Sequence, residues 1–310
     1  MANIRNMIVP EIFNPAVTES ANALSKFVLS GAVERSALIQ SNLMGGGAIF
    51  SNPVWDALDG ASFNSDSSDP SVTASLDEHS SHDELVARIA RNRHIGTSRF
   101  QAALVGENPV DNIVMQSGRI FATGRDVALV TMLEGLFTPT TGVLLDNVVA
   151  AGTDILTLVS EAEGKFGENS MGTGTIVVGK DVSVAMRKDL GLSNAGIVPA
   201  NVTDLQIYAY AGYNVVIDEN LGAKDAYLIK PGAIQMGGMS EVKVYEKEDG
   251  GNGAGVEVAR LKDTYGLHVK GTSYTAGTVN PSDTVLGTDT SWALTAQSAS
   301  KVGVAKFSIQ

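Results

Sequence analysis

Residues 108–139, NPVDNIVMQSGRIFATGRDVALVTMLEGLFTP, read as one long helix around which the rest of the chain is arranged. Asn108 is a good N-cap, and Pro109 takes the first helical position, where a missing N–H costs nothing. Asp111 places a negative charge in the first turn, at the positive end of the helix dipole. Apolar or small residues recur at Val110, Ile113, Val114, Ser117, Ile120, Phe121, Gly124, Val127, Ala128 and Thr131. Thr138-Pro139 stops the pattern, because proline cannot continue the hydrogen-bond ladder. About 29 residues at about 1.5 Å each make a rod of roughly 43 Å. Gly118 and Gly124 inside it each cost about 1 kcal/mol. A helix this long with one buried face is expected to lie across a sheet as a beam.

The composition narrows the function classes. The chain has 310 residues, enough for one large domain or two ordinary ones. It is 44% hydrophobic and only 18% charged, with 33 glycines. Such a surface is small and polar, so it can be covered by other protein with few solvated ions to strip, which hints at assembly. The net charge of −12 and a pI near 4.7 do not suit a dedicated nucleic-acid reader. With no cysteine, disulfides, thiolate metal sites and cysteine nucleophiles are excluded. No signal peptide and no run of about 18 apolar residues is found, so a protein made in the cytosol, and not spanning a membrane, is expected.

In chain order, IVPEIFNP is expected to be extended because of Pro10 and Pro15, followed by a helix broken at Gly31, with Leu24, Phe27 and Val28 on one face. Residues 38–82, with a triple glycine at Gly45 to Gly47 and a Ser/Asp-rich second half, read as a long hairpin or flap. Its Ile49, Phe50, Val54 and Trp55 are too apolar for a free linker and are expected to be covered by a neighbouring subunit. Residues 83–106 read as two short helices, with a basic cluster at Arg88, Arg91, Arg93, His94 and Arg99.

Beyond the long helix, a strand-like run and a helix are expected over 143–167, then a buried strand GTIVVG and the helix KDVSVAMRKDLGL. Strands are expected at 205–210, 213–218 and 226–237, so 145–237 reads as a small α/β unit. Residues 240–270 alternate apolar and charged residues around DGGNGAG, as a long hairpin does. The tail carries Trp292 and a last strand, KVGVAKFSIQ.

No enzyme emerges from the motifs. Gly174 to Asp181 has the GxxxxGK spacing of a phosphate loop, but Asp181 stands where a metal-binding Ser/Thr belongs, and TIVV reads as strand. His79 and His82, among Asp77, Glu78, Asp83 and Glu84, lack a scaffold that would hold a metal. There is no GxSxG, no HExxH and no GxGxxG after a strand. No cofactor, metal or catalytic residue is expected.

Laid end to end, the parts resemble the major capsid protein of tailed bacteriophages, with the Hong Kong 97-type fold. PEIFNPAVTE, SALIQS, DELVARIARN, FQAALVGENPVDNIV, GYNVVIDENLGAKDAYLIKPGAIQMG and RLKDTYGLHVKG carry the likeness, and their order matters more than any one of them. The resemblance implies an α+β fold made of an N-terminal arm (1–37), an extended loop or E-loop (38–82) and a peripheral domain (83–144) with spine helix 109–137. It further implies an axial α/β domain (145–237), and a peripheral hairpin with the C-terminal strand (238–310). Implied partners are copies of the chain in pentamers and hexamers, portal, scaffolding and decoration proteins, and packaged double-stranded DNA without sequence-specific contacts. Phe13, Phe27, Phe50, Trp55, Arg88, Arg91 and Arg93 are the expected assembly contacts. Two alternatives stay open: an encapsulin-type nanocompartment shell, and a cytosolic α/β nucleotide-binding enzyme using residues 174–181.

Overall fold

The computed structural model describes residues 10–55, 81–98, 109–167, 174–189, 193–194, 208–247, 256–296 and 298–310. The chain enters as α1 (Pro10–Leu24), a single turn α2 (Lys26–Leu29), strand β1 (Val33–Arg35) and α3 (Ala37–Gly45). Ser25 and Ser36 cap α2 and α3, their hydroxyls accepting from the Val28 and Ile39 N–H groups. The extended segment expected at 8–15 is helix from Pro10 onward. Pro10 stands where a helix has no use for its N–H, and Pro15 forfeits a single bond. Residues 1–9, and the side chain of Phe13, lie outside the described residues.

Strand β2 (Ile49–Trp55) and strand β3 (Ser81–Ser98) follow, then the long helix α4 (Pro109–Leu136). After it come α5 (Ile155–Gly164), β4 (Thr175–Val178) and α6 (Lys180–Lys188). Next are β5 (Ser193–Asn194), β6 (Tyr208–Tyr210), β7 (Tyr213–Ile217) and β8 (Asp225–Ile229). The long hairpin is β9 (Ile234–Lys247) and β10 (Val256–Val269). Short elements β11 (Thr272–Tyr274), α7 (Asp283–Leu286) and β12 (Trp292–Leu294) lead to the last strand, β13 (Val304–Ser308).

These elements make two main sheets. The first, of five strands, has the order β1-β9-β10-β3-β2, and the second, of six, has the order β13-β8-β4-β7-β6-β5. Helices α1 and α4 lie on one face of the first sheet, where Val17, Ala21, Phe121, Val242 and Leu261 close an apolar cluster. The approach is close: a Cβ on Gly118 of α4 would sit 2.5 Å from the Ser20 Oγ of α1. On the opposite face, α3 crosses over Gly237 and Gly266, where a Cβ would come within 2.7 Å of Gln40 N and 3.1 Å of Ile39. The C-terminal half of α4 supplies Leu129, Leu133 and Leu136 to the main core, followed by Phe137 just past its end, and this core also takes in Val177, Tyr227 and Ile229 of the second sheet. Helices α5 and α6 complete a separate core with Ile176, Val178, Val215, Leu228 and Phe307.

Four readings of the sequence are corrected. Residues 83–94 are not a helix; they form the middle of β3, paired with β2 on one side and β10 on the other. The flap begins as helix α3, and among the described residues Ile49–Trp55 and Ser81–Ala87 form its hairpin arms. The strand-like run after α4 contributes only two isolated bridges, Val148 with Lys306 and Gly152 with Ile309. Finally, β13 pairs antiparallel with β8. The C-terminal strand thus stands in the sheet of the 145–237 segment, whereas the sequence reading grouped it with the 240–270 hairpin.

Candidate assembly surfaces

A buried ionic node fixes α1 and α4 to the first sheet. Arg125, 1% exposed, donates from Nε and Nη2 to both oxygens of Asp263 on β10, at 2.8 and 2.6 Å. Its Nη1 donates to Asn22 Oδ1 of α1 at 2.8 Å, and Nη2 also donates to Ser240 Oγ of β9 at 2.9 Å. The ring of Tyr265 lies 5.9 Å from the guanidinium carbon. A two-pronged arginine–carboxylate pair with every guanidinium nitrogen bonded is the arrangement a buried charge requires.

A second buried group ties β3 to the chain beyond β10. Glu84 is fully buried; one oxygen meets His268 Nε2 at 2.6 Å, and the other accepts from Gly271 N at 2.7 Å and Thr295 Oγ1 at 3.0 Å. Burial alone would push the Glu84 carboxyl up. Its bond and charge interaction with His268, with help from Thr295 and Gly271, outweigh burial and hold it below the ordinary range. His82 adds a contact to Glu84 at 3.4 Å, while His79 lies outside the described residues. Among the described residues, no group of three His, Cys, Asp or Glu could hold a metal ion.

The phosphate-loop spacing does not build a cradle. The N–H groups of Gly179 and Asp181 donate to Asp225 O and Ala223 O, and a Cβ on Gly179 would sit 2.1 Å from Gly222 O. The 222–225 backbone therefore occupies the start of α6, where a phosphate would have to bind, and all four residues of β4 are buried.

The expected contact residues separate into two groups. Phe27 is buried in the chain's own core at 1% exposure, so it presents nothing to a neighbour, and that expectation is corrected. Phe50 is half-buried over Gly266 beside Ile39 and Val86. Trp55, at the outer end of β2, is 68% exposed, and Met44 at the end of α3 is 66% exposed. Arg91 is engaged within the chain, donating to Asn280 Oδ1, Pro281 O and Asp283 Oδ1 at 3.1, 2.7 and 2.8 Å. Arg88 donates to Gly47 O at 3.4 Å, and Arg93 is exposed. Arg99 lies outside the described residues.

A cationic surface that sequence reading did not single out lies on the other face of the first sheet. Along β10, Leu261, Asp263 and Tyr265 point toward α1 and α4, so Arg260 and Lys262 point away. Arg260 pairs across the sheet with Lys243 on β9 and His94 on β3, and Lys262 pairs with Glu241 and Asn92. Glu241 meets Lys243 at 2.5 Å. That hydrogen bond, with Lys243, Lys262 and Arg260 charges around it, holds the Glu241 carboxyl below its ordinary range. The one signal in the sequence was the alternation of charged residues within 240–270.

Comparison with known proteins fits this architecture. No family model matches the chain. It is 26% identical over 314 residues to the major capsid protein of Bacillus phage SPP1, an alignment covering 93% of this chain and 92% of that protein. A chain of Mycobacterium phage Bobi superposes with a TM-score of 0.55 at 14% identity, covering 92% of this chain and 90% of its own. A chain from the capsid of the cyanophage P-SCSP1u gives 0.52 at 10% identity, covering 86% and 84%. The chain thus resembles a phage major capsid protein along nearly its whole length and shares the fold of phage capsid chains.

Proposed function

We propose that this chain is the major capsid protein of a tailed phage, assembling through pentamers and hexamers into an icosahedral shell around double-stranded DNA. The observation that carries this reading is the likeness to a phage major capsid protein over 93% of this chain and 92% of that one. The surface supports it: apolar Trp55 and Met44 stand exposed at the ends of β2 and α3, where a second copy would cover them. In this reading residues 1–37 are the arm, 38–82 the extended loop, 83–144 and the 240–270 hairpin the peripheral domain, and 145–237 the axial domain, joined by β13. Portal, scaffolding and decoration proteins would be the partners beyond copies of the chain itself.

The cationic face suggests how neighbours meet. Residues 56–80, between β2 and β3, carry six acids (Asp56, Asp59, Asp66, Asp69, Asp77 and Glu78) and no lysine or arginine. Ser81 and His94 stand roughly 43 Å apart along β3, at about 3.3 Å per residue. We read Lys243, Arg260 and Lys262 as the surface that receives this acidic segment from a neighbouring copy.

Gel filtration with negative-stain electron microscopy tests the whole reading. Uniform hollow shells, or pentamers and hexamers, are the expected result. A monomer of 32.3 kDa that persists across concentration and salt overturns it.

A further inference from the structure

The turn α2 is a joint between the long helix and the second sheet. At its start, the Ser25 hydroxyl donates to Asp126 Oδ1 of α4 at 2.7 Å. At its end, Ser30 O accepts from Thr175 Oγ1 of β4 at 2.9 Å and from Asn214 Nδ2 of β7 at 3.0 Å. Between them, Lys26 Nζ donates to Ile217 O, the last residue of β7, at 3.2 Å. One short segment thus ties α4 to β4 and β7.

Its charges do not balance. Asp126 is 8% exposed and Asp218, just past β7, is 3% exposed. The oxygen Oδ1 of Asp218 accepts from the backbone N–H and side-chain amide of Asn220, at 2.7 and 2.9 Å. The charged groups near Asp126 are Asp218 from the second sheet and Lys26 from α2, whose amino group also donates to the Ile217 carbonyl, so two carboxylates share one ammonium. From these contacts we infer that α2 is a proton-operated latch: with Asp126 protonated it holds α4 to the second sheet, and with Asp126 ionised it loosens. This holds whatever the chain assembles into.

The electrostatics agree with the geometry. Burial, then the charge of Asp218, pushes Asp126 up to about 7 from 3.8, against the opposing bonds from Ser25 and the Lys26 N–H. A carboxyl with a raised pKa binds its proton more tightly when closed than when open. Its stabilisation is therefore complete at low pH, and declines as pH rises from the open-state pKa toward the closed-state one. Within that window the open-to-closed ratio of the latch rises about tenfold per pH unit.

Hydrogen–deuterium exchange on the intact protein from about pH 5 to pH 8, expressed as protection factors so that intrinsic exchange is removed, tests this. Protection of residues 26–30 and 218–220 is expected to fall with rising pH in the parent and to stay level in Asp126→Asn. Ser25→Ala, which removes a donor to the anion, is expected to move the transition to higher pH. Asp218→Asn, which removes the like charge, should move it lower, and these two shifts keep the inference testable if Asp126→Asn fails to fold. Protection that falls equally in the parent and Asp126→Asn overturns it. So does a transition that ignores both Ser25→Ala and Asp218→Asn, the result expected of a purely structural joint.

Discussion

Arg125 and Asp126 are consecutive on α4, both buried, and they have opposite fates. Arg125 faces the first sheet and finds a carboxylate with matched geometry, an amide oxygen and a hydroxyl. Asp126 faces the second sheet and finds one hydroxyl, one backbone N–H, and a lysine ammonium that it shares with another carboxylate. Burial by itself decides neither stability nor sensitivity; the partner set does. A well-matched ion fixes the arm and helix on the sheet. A half-matched one leaves a group that responds to protons.

The largest expected break in this comparison is Arg125→Ala. It leaves Asp263 buried without its counter-charge and should lower unfolding stability by about 3–5 kcal/mol in a urea titration. Combining it with Asp263→Leu removes the orphaned charge and should recover a large part of that loss. A smaller effect is expected at the node between β3 and β10. Glu84→Gln removes the anion that His268 pairs with, and should cost about 1–3 kcal/mol at neutral pH. Because Glu84 is held below its ordinary pKa, its stabilisation is present above the unfolded value and lost as pH falls through the folded one. The variant should therefore flatten the acid limb of a thermal-stability profile, the reverse of the trend at Asp126.

Two glycines of α4 sharpen the contrast between its packed and open faces. Gly118→Val drives a side chain into Ser20 of α1 and should destabilise by about 1–3 kcal/mol. Gly124→Ala points into open space within a helix, so it should stabilise by up to about 1 kcal/mol, read from the urea midpoint. A loss of stability in Gly124→Ala would mean that this side of α4 is packed.

The long helix was legible because its proline start, proline stop and apolar recurrence all point to one helix, which spans Pro109–Leu136, while the cap expected at Asn108 lies outside the described residues. Which face it buries was not. The expected stripe included Gly124, which is exposed, and left out Arg125, because a charged residue reads as solvent-facing until Asp263 and Asn22 are seen around it. The β9–β10 hairpin showed its alternation plainly. Strand β3 concealed its own: the buried positions are Glu84 and Val86, then Ala87 and Ile89, so the buried side changes parity where its main partner passes from β2 to β10. That slip turns a period of two into the i, i+3 spacing of Val86 and Ile89, which reads as helix. The two buried nodes were out of reach for another reason. Each joins residues more than 100 positions apart, and nothing local in the chain marks them as partners.

The position of β13 has a consequence for synthesis. The sheet around β4 and β8 lacks one edge until residues 304–308 pair with Asp225–Ile229, and Phe307 seals its core at 0% exposure. A growing chain can fold the long helix against the first sheet's hairpin while still attached to the ribosome. It cannot close the second core until this last strand has emerged. One core thereby stays open while the chain is being made, and a chain cut short before Val304 carries an unfinished sheet edge.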